Sequence, residues 1–341
     1  MQLVRFVTSL AATRGDLMGA VPFAEAKGWS STAGVLKALV APLGQGDVAS
    51  ALWPITVDLS EVLRPLTVIG RLQGMRRVPF ATRVLTQTAG GVGTWVSEGR
   101  PIAVKADGFA VGSAMFATKC AGINVVTAEF LMNAAPASYP IIANDLVAGV
   151  AEALDHSLLD PGNAGDAATP AAITHGATSF ESSGSTLAQV DSDLGKLVDS
   201  LTSNNFSLAT ASWIMSPKTA AFLGRLRGSG GAAAFPLINA RGGSLMGLPV
   251  LTSGNVVSEG SPGEGLICLA EANEILLADD GAGDVELSNE AALQLSDAPS
   301  TGAQAQVSLW QMGLVGVKCT RIVNWAVRRP AAVATLRSVV Y

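Results

Sequence analysis

Side chains that could carry out chemistry are scarce and widely spaced in this chain of 341 residues. It has only two histidines, His156 and His175, and a Ser-His-acid triad would need one of them as its base. Neither lies near a recognisable nucleophile motif, and the Gly-x-Ser-x-Gly turn of many hydrolases is absent. The sequence therefore predicts two ordinary polar histidines and no nucleophilic catalytic site.

Potential metal ligands show the same lack of pattern. The three cysteines, Cys120, Cys268 and Cys319, are odd in number and far apart, so we expect buried free thiols and not a disulfide framework or a zinc site. The acidic run Asp279–Asp284 could contribute to a calcium loop, but it lacks the remaining ligands of that motif and predicts a solvated turn. No metal and no cofactor are expected.

A glycine-rich segment, Gly90–Gly93, superficially resembles a phosphate-binding loop. Such a loop must lead into a helix whose N-terminus faces the anion, whereas the strand-forming run Thr94–Val96 follows here. Paired carboxylates for acid–base catalysis meet in space and not in sequence, so that class stays open. The charged residues Glu98, Arg100 and Asp107 are more typical of ion pairs at an interface.

Composition indicates a surface that meets protein more than water. Apolar residues make up 49% and charged residues 14% of the chain, against roughly 25% charged residues in ordinary soluble domains. The net charge of −5 leaves no strongly basic face for a sequence-specific nucleic-acid binder. No apolar run is long enough to span a membrane, and Arg14 and Asp16 interrupt the short N-terminal run that a secretory signal would need.

The sequence predicts an extended arm and a long hairpin in the first part of the chain. Residues 1–75 alternate short apolar stretches with glycine and proline, which is typical of an arm, with short helices at 31–40 and 59–63. Residues 78–116 predict a long β-hairpin with its tip at Gly90–Gly93. A lone hairpin is marginal in water, so we expect it to rest on another chain.

The second half combines helices and strands. Strands at 115–120 and 123–127 precede a long helix at 137–159 and a loop at 160–185. Residues 187–297 alternate helices (187–201, 218–226) with strands (212–216, 247–252, 265–269, 274–278). The β-rich run 307–327 matches the strands at 115–127 in character. We expect these two regions to share a sheet, which makes 187–297 an insertion.

Taken in order, these pieces resemble the major capsid protein of tailed double-stranded DNA bacteriophages with the Hong Kong 97-type fold. The resemblance spans about residues 50–335 and rests on three segments: Trp95–Pro101 leading to Ala117–Lys119 and the helix at 137–159; Met215–Pro217 with the following helix and Gly247–Val250; and Gly316–Cys319 through Trp325–Pro330. It implies an α+β fold with four parts. These are an N-terminal arm (1–75), the E-loop hairpin (76–113), a peripheral domain with a spine helix (114–185 and 300–341) and an inserted axial domain (186–299).

The same resemblance implies a structural protein and not an enzyme. Such a chain assembles with itself into pentamers and hexamers that form an icosahedral shell around packaged DNA, with non-specific contact to that DNA. Portal, scaffolding and decoration proteins are its further expected partners, and no membrane is involved. The implied location is the virion, after assembly in the host bacterial cytoplasm.

Eight residues are expected at contacts between subunits. Arg76 and Arg77 lie at the base of the hairpin, and Trp95, Glu98 and Arg100 lie within it. Three further arginines are expected to line the capsomer axis around 228–243: Arg225, Arg227 and Arg241. Some family members crosslink a hairpin lysine to a neighbour, but Arg100 and Lys105 do not match that pattern, so no crosslink is predicted. No charged N-terminal scaffolding segment is recognisable either.

Three other classes remain as alternatives. An encapsulin, a cellular nanocompartment, would share the fold and enclose a cargo protein. An α/β enzyme would need convergent titratable residues near 213–250, and none are evident. A β-rich adhesin predicts internal repeats, and the sequence shows no repeat period.

Overall fold

The structure is a computed structural model that describes residues 5–6, 8–9, 12–13, 16–40, 66–89, 95, 108–129, 139–256, 265–296 and 305–341. The chain divides into two compact units. Unit 1 comprises Met1–Arg71, Lys119–Leu154 and Asp280–Ile322, and unit 2 comprises Leu72–Thr118, Asp155–Asp279 and Val323–Tyr341.

Helices and strands alternate along the described chain. The helices are α1 (Leu17–Ala26), α2 (Ser30–Val40), α3 (Val68–Arg71), α4 (Tyr139–Leu159), α5 (Leu187–Ser203) and α6 (Pro217–Arg225). The strands are β1 (Arg76–Arg77), β2 (Arg83–Ala89), β3 (Gly108–Ala114), β4 (Lys119–Thr127), β5 (Thr178–Glu181), β6 (Ala211–Met215), β7 (Ile238–Asn239), β8 (Gly242–Leu245), β9 (Leu248–Thr252), β10 (Gly265–Glu271), β11 (Ile275–Ser288), β12 (Ala292–Leu293), β13 (Val307–Ser308), β14 (Leu314–Val327) and β15 (Val333–Val339). Short 3-10 turns lie at Ala272–Glu274 and Pro330–Ala332.

The N-terminal region is more helical than its sequence predicted. Helix α2 confirms the prediction at 31–40, but α1 was not predicted. Asp16 caps α1 by accepting a hydrogen bond from the backbone N–H of Met18 (3.0 Å), and the helix continues past Pro22. Phe23 contacts Trp29 edge to face across the α1–α2 turn. The predicted helix at 59–63 lies outside the described residues.

Strands β4 and β14 pair antiparallel in unit 1, from Leu314 opposite Thr127 to Ile322 opposite Lys119. This confirms that the two distant β-rich regions share a sheet. The segment 187–297, predicted as an insertion, does not lie wholly outside that sheet, because β11 also belongs to it. The predicted strand at 115–120 begins only at Lys119, and the run predicted at 307–327 is interrupted by a turn at 309–313. The turn forms because Gly313 adopts the left-handed conformation (φ 64°) that ends it.

Helix α4 confirms the predicted long helix at 137–159. Its buried residues Leu146, Val150, Leu154 and Leu158 recur every four positions, as the sequence pattern indicated. Asp155, a charged residue of the same helix, is also buried. Its carboxylate is satisfied there, because the Ser253 hydroxyl donates a hydrogen bond to it (2.9 Å).

The core of unit 2 is a seven-stranded mixed sheet with the order β5-β15-β10-β6-β9-β8-β7. Strand β10 pairs antiparallel with both β15 and β6, while β6 pairs parallel with β9. Trp213 on β6 is fully buried, and its indole N–H donates to the Leu245 carbonyl (3.1 Å). Leucines of α5 pack into the same core: Leu194, Leu197 and Leu201.

Three local predictions need correction. The loop predicted at 160–185 contains β5, whose side chains are mostly exposed and show no apolar alternation that could reveal a strand. It forms through parallel pairing with β15, a strand that the sequence analysis did not predict. The run Asp279–Asp284, predicted as a solvated turn, lies within β11, because strand pairing overrides the low strand propensity of aspartate and glycine.

The hairpin prediction is confirmed where the structure describes it. Strands β2 and β3 pair antiparallel, with Leu85 opposite Val111 and Gln87 opposite Phe109. The first strand begins at Arg83, later than the predicted residue 78. The predicted tip at Gly90–Gly93 lies outside the described residues.

Candidate assembly surfaces

A cluster of charged side chains around Glu274 connects the base of the hairpin to the rest of unit 2. This glutamate ends the 3-10 turn between β10 and β11, and its side chain is only 8% exposed. Arg329 makes a two-pronged contact with it, with Nη2 donating to Oε1 (2.8 Å) and Nε donating to Oε2 (3.0 Å). Arg328 Nε lies 3.8 Å from the same carboxylate.

Arg76, one of the residues predicted at a contact, belongs to this cluster. Its Nε donates to Asn273 Oδ1 (3.0 Å), and β1 pairs parallel with β11, which places Arg76 opposite Leu276. Arg329 and Arg328 pair with the Glu274 carboxylate and the charge of Arg76 acts on it from farther away, so positive charges outnumber negative ones in this cluster. Arg77, the next residue, is exposed on the same short strand.

These charges act on the titration of Glu274. The hydrogen bond from Arg329, and then the nearby charges of Arg329, Arg328 and Arg76, hold the pKa of Glu274 below its usual value, although partial burial acts in the opposite direction. The same hydrogen bond raises the pKa of Arg329. The Arg329 guanidinium also lies 4.2 Å from the centre of the Phe206 ring, which fixes its orientation from the other side.

A small apolar cluster packs against the hairpin base. Met115, Leu276 and Ala278 are buried there, and Val78 and Phe80 pack against them. The backbone N–H of Ala81 donates to the Met115 carbonyl (2.8 Å). The start and the end of the hairpin are therefore held together and to β11 by apolar contacts and hydrogen bonds.

Within the hairpin loop the structure describes Trp95, whose side chain is fully exposed (105%). The other two hairpin residues predicted at contacts, Glu98 and Arg100, lie outside the described residues. A fully exposed tryptophan leaves a large apolar surface in water, which is unfavourable for an isolated chain.

The three remaining predicted contact residues lie near one end of the seven-stranded sheet. Arg225 ends α6, Arg227 follows it and forms an isolated bridge with Ala233, and Arg241 lies in the β7–β8 turn. The structure brings α6 and β7 together at Gly224, where a Cβ atom would lie 2.7 Å from the Ile238 carbonyl oxygen. All three arginines are exposed, and within the described part of the chain none makes a side-chain ion pair.

Other large apolar side chains are exposed in both units. In unit 1 they are Met18, Leu66, Ile123, Leu295, Trp310 and Met312. In unit 2, besides Trp95, they are Phe116, Leu237, Met246 and Val340. Single exposed apolar residues are normal on soluble proteins, but so many large ones on a chain with few charges indicate surfaces that other protein covers.

A cleft of about 610 Å³ lies within unit 2, lined by residues from the stretches 114–118, 164–175 and 324–330. His175 donates from Nδ1 to the Pro161 carbonyl (3.1 Å). Asp166 accepts hydrogen bonds from the backbone N–H groups of Thr169 (2.6 Å) and Ala168 (2.7 Å), which hold its pKa below the usual value. Both side chains thus stabilise the loop that carries them, and among the described residues that line the cleft no nucleophile is hydrogen-bonded to a base.

The thiols are equally unsuited to catalysis. Burial raises the pKa of Cys268 to about 12, and burial also raises the pKa of Cys120 despite the nearby Arg321. None of the three cysteines forms a disulfide; Cys268 and Cys319 are buried, as expected, and Cys120 is only partly buried. Over the ranges that the structure describes, no three His, Cys, Asp or Glu side chains are grouped as metal ligands would be. None of the helices in that part of the chain is both long and apolar enough to cross a bilayer.

Glu274, Arg328 and Arg329 were not among the residues predicted from the sequence to lie at contacts. Glu274 and Arg329 are 55 positions apart, so their pairing is invisible in the sequence. The available signal was a glutamate directly before the buried strand residues Ile275–Ala278, since a charge at such a position usually has a partner.

Comparison with known proteins gives a consistent result. The chain is 36% identical over 294 residues to a capsid polyprotein of Pseudomonas phage PAJU2, a match that covers 84% of this chain and 44% of that protein. The chain therefore spans less than half the length of this curated relative. Solved structures from phages are similar in fold, although they are only 15–16% identical in sequence.

The structure from Mycobacterium phage Ogopogo has a TM-score of 0.62 and covers 80% of this chain and 92% of that one. The structure from Gordonia phage Cozz has a TM-score of 0.58 and covers 80% and 86%. A capsid of a native gene transfer agent (GTA) particle has a TM-score of 0.54 at 16% identity and covers 79% and 89%. Together with the family match, they confirm the predicted α+β fold of Hong Kong 97 type.

The model of the phage capsid family matches residues 68–338, which is most of the chain. The predicted structural role, as opposed to an enzymatic one, is confirmed by this match and by the capsid relative. On this evidence the chain belongs to the phage capsid family.

Proposed function

We propose that this chain is a major capsid protein that assembles with itself, as pentamers and hexamers, into an icosahedral shell around packaged double-stranded DNA. The proposal rests on a fold of the phage capsid family whose surface leaves large apolar side chains exposed. Among those that the structure describes, Trp95 is the most exposed. Burying them against further copies gains roughly 25 cal/mol for each Å² of apolar surface. Repeated heterologous contacts of this kind close into rings and shells.

The predicted division into four parts serves this assembly. Residues 1–75 form the arm and 76–113 the E-loop hairpin, while 114–185 with 300–341 form the peripheral domain and 186–299 the axial domain. In this assignment Arg76, Arg77, Trp95, Glu98 and Arg100 meet an adjacent subunit. Arg225, Arg227 and Arg241 line the axis of the capsomer.

The remaining expectations concern partners and location. The shell contacts DNA non-specifically, as its net charge of −5 suits a wall better than a tight nucleic-acid binder. Portal, scaffolding and decoration proteins are its other partners. The protein resides in the virion after assembly in the host bacterial cytoplasm, and it needs no cofactor.

Negative-stain electron microscopy of the purified chain, together with size-exclusion chromatography, tests this proposal. We expect closed hollow particles, or rings of five and six subunits. A monomer or dimer that persists over a wide range of concentration, salt and pH would contradict it.

A further inference from the structure

The turn at 309–313 in unit 1 holds two large apolar side chains out in solvent. Trp310 is 75% exposed and Met312 is 61% exposed, whereas Leu309, next to them, is fully buried. We call Trp310 and Met312 the apolar knob. Neither residue was among those predicted from the sequence to lie at a contact.

The backbone of this turn is fixed by several hydrogen bonds. The Leu309 N–H donates to the Ala291 carbonyl (3.0 Å), and the Leu314 N–H donates to the Leu309 carbonyl (2.8 Å). The Gly313 carbonyl accepts from the Ala128 N–H (2.8 Å), which ties the turn to the end of β4. The exposure of the knob is therefore imposed by the fold and is not the result of a loosely held loop.

Packing under the turn fixes it further. A Cβ atom at Gly316 would lie 3.1 Å from Leu309 Cδ1 and 3.7 Å from Leu293 Cδ1, so the missing side chain of Gly316 leaves the space that Leu309 fills. A turn whose backbone is already fixed loses less conformational entropy on binding than a loosely held loop does. The backbone that carries the knob is thus preorganised for a contact.

The charges near the knob restrict what it can contact. Glu290, which precedes the Ala291 that anchors the turn, is exposed. The unit 1 segment Asp280–Ile322 that carries the turn contains five acidic and two basic residues, and one of the two, Lys318, already pairs with Glu286. Phosphates of nucleic acid and anionic lipid surfaces are repelled by such an environment. The favoured occupant is a protein surface with an apolar centre and a positively charged rim.

A second copy of this chain supplies such a rim. Residues 200–241 contain four basic residues and no acidic one. Arg77, Arg225, Arg227 and Arg241 are exposed, and within the described ranges no side-chain ion pair engages them. The basic stretch 200–241 and the exposed Glu290 beside the knob lie in different parts of the chain, as suits a head-to-tail contact between identical copies.

We propose that the apolar knob, Trp310 with Met312, docks on a second copy of this chain at a surface that carries exposed arginines. The inference rests on the proposed function, because it names which residues make one of the contacts of the assembly. Trp310 provides most of the apolar area of this contact, and the acidic residues nearby make the contact weaken as salt is added.

Site-specific crosslinking tests the proposal. The full chain is produced with the photoreactive amino acid p-benzoylphenylalanine at position 310, assembled and irradiated, and crosslinked peptides are mapped by mass spectrometry. We expect a covalent dimer whose second peptide comes from another copy and lies close to one of the exposed arginines. The same amino acid at position 311, where Gln311 is exposed in the same turn, should crosslink much less.

Substitutions provide a second measurement. Trp310→Ala should weaken association by a factor of roughly 30 or more, as at other interface hot spots, while Gln311→Ala should leave association unchanged. Both variants should keep the far-UV circular dichroism and the thermal unfolding midpoint of the parent chain, since both side chains point outward from the fold.

The outcomes separate the two proposals. Assembled particles without a crosslink at position 310, or with a crosslink only to nucleic acid or another protein, would overturn the docking proposal and leave the capsid function standing. Wild-type chain that forms no particles, together with a position-310 photoreactive chain that forms no crosslinked dimer, would overturn both.

Discussion

At the scale of single residues, the cluster around Glu274 combines short hydrogen bonds with more positive than negative charges. One carboxylate, mostly buried, receives two hydrogen bonds from Arg329 and lies near Arg328 and Arg76. Removing its charge leaves Arg329 and Arg328 without the carboxylate that pairs with them. The Glu274 carboxylate therefore stabilises the hairpin base more than an exposed ion pair would.

Glu274→Gln is expected to lower the free energy of unfolding by about 2 kcal/mol, between the values typical of exposed and of buried pairs. Chemical denaturation measures the change. The matched control is Glu25→Gln, which removes the exposed pair of Glu25 with Lys37 and should cost no more than about 0.5 kcal/mol. Equal effects of the two substitutions would contradict the special role of Glu274.

The same pair gives a pH dependence. The pKa of Glu274 is lowered in the folded state, so its contribution is fully present above the ordinary glutamate pKa and is lost as pH falls through the lowered value. The stability difference between the parent chain and Glu274→Gln should therefore stay constant near neutral pH and shrink in acid. A difference that grows as the pH falls would show the opposite sign of coupling.

Tyr341 gives a second titration, at high pH. Its ring is buried and stacks on Phe222 with a centroid distance of 4.6 Å, and burial raises the pKa of its hydroxyl to about 12, with Asp193 adding to the effect. Stability from the neutral phenol is present below the ordinary value of 10 and is lost as pH rises through 12. Tyr341→Phe should reduce this loss between pH 10 and 12, as measured by urea unfolding; an unchanged alkaline profile would argue against burial of the hydroxyl.

At the scale of elements, the β7–β8 hairpin depends on glycine at one position. Gly243 has φ +132°, and a Cβ atom there would lie 2.0 Å from the Leu237 carbonyl oxygen. The residue before β7 approaches β8 so closely that no side chain fits at position 243. This hairpin carries Arg241 in its turn, so its geometry also decides where that arginine lies.

Gly243→Ala should therefore lower the free energy of unfolding by roughly 3 kcal/mol or more, since it adds a clash with backbone to the strain of a positive φ. Gly247→Ala is the matched control: Gly247 also has a positive φ of +81°, but nothing lies within 4 Å of its Cβ position. It should cost only about 1 kcal/mol. Thermal unfolding of both variants compares them, and equal losses would mean that the clash is relieved by a shift of the strand.

At the scale of the whole molecule, the exposed apolar side chains connect the fold with assembly. Both units bury apolar side chains in a core, and Trp213 of unit 2 is one of them. Trp95 and Trp310, in contrast, are exposed to water. In a single chain this surface is a cost, and in a shell it becomes the interface. Assembly and folding of this protein should therefore respond to different substitutions.

Trp95→Ala tests this separation. We expect its circular dichroism and unfolding midpoint to match those of the parent chain, because the Trp95 side chain contacts solvent, while its association weakens by a factor of about 30 or more. Light scattering during assembly measures the association. Trp213→Ala is the contrasting variant, which should lose about 3–5 kcal/mol of stability because it empties the core. Normal assembly of Trp95→Ala would exclude Trp95 from the contacts.

The sequence by itself determined the features that depend on local pattern. Apolar residues spaced by about four predicted α4 and α5, and the matching character of two β-rich regions predicted the pairing of β4 with β14. The hairpin and the burial of Cys268 and Cys319 also followed from local composition, whereas Cys120, predicted to be buried, is partly exposed. These features are readable because periodicity and burial leave a regular trace along the chain.

Only the tertiary structure decided the features that depend on distant partners. Strand β5 exists because β15, more than 150 positions later, pairs with it, and Asp155 is buried because Ser253 supplies a donor. Glu274 meets Arg329 only after folding, and Trp310 is recognisable as exposed only because Leu309, beside it, fills the space over Gly316. Residue type alone does not reveal such contacts, because long-range packing and hydrogen bonding choose among conformations that the local sequence permits equally.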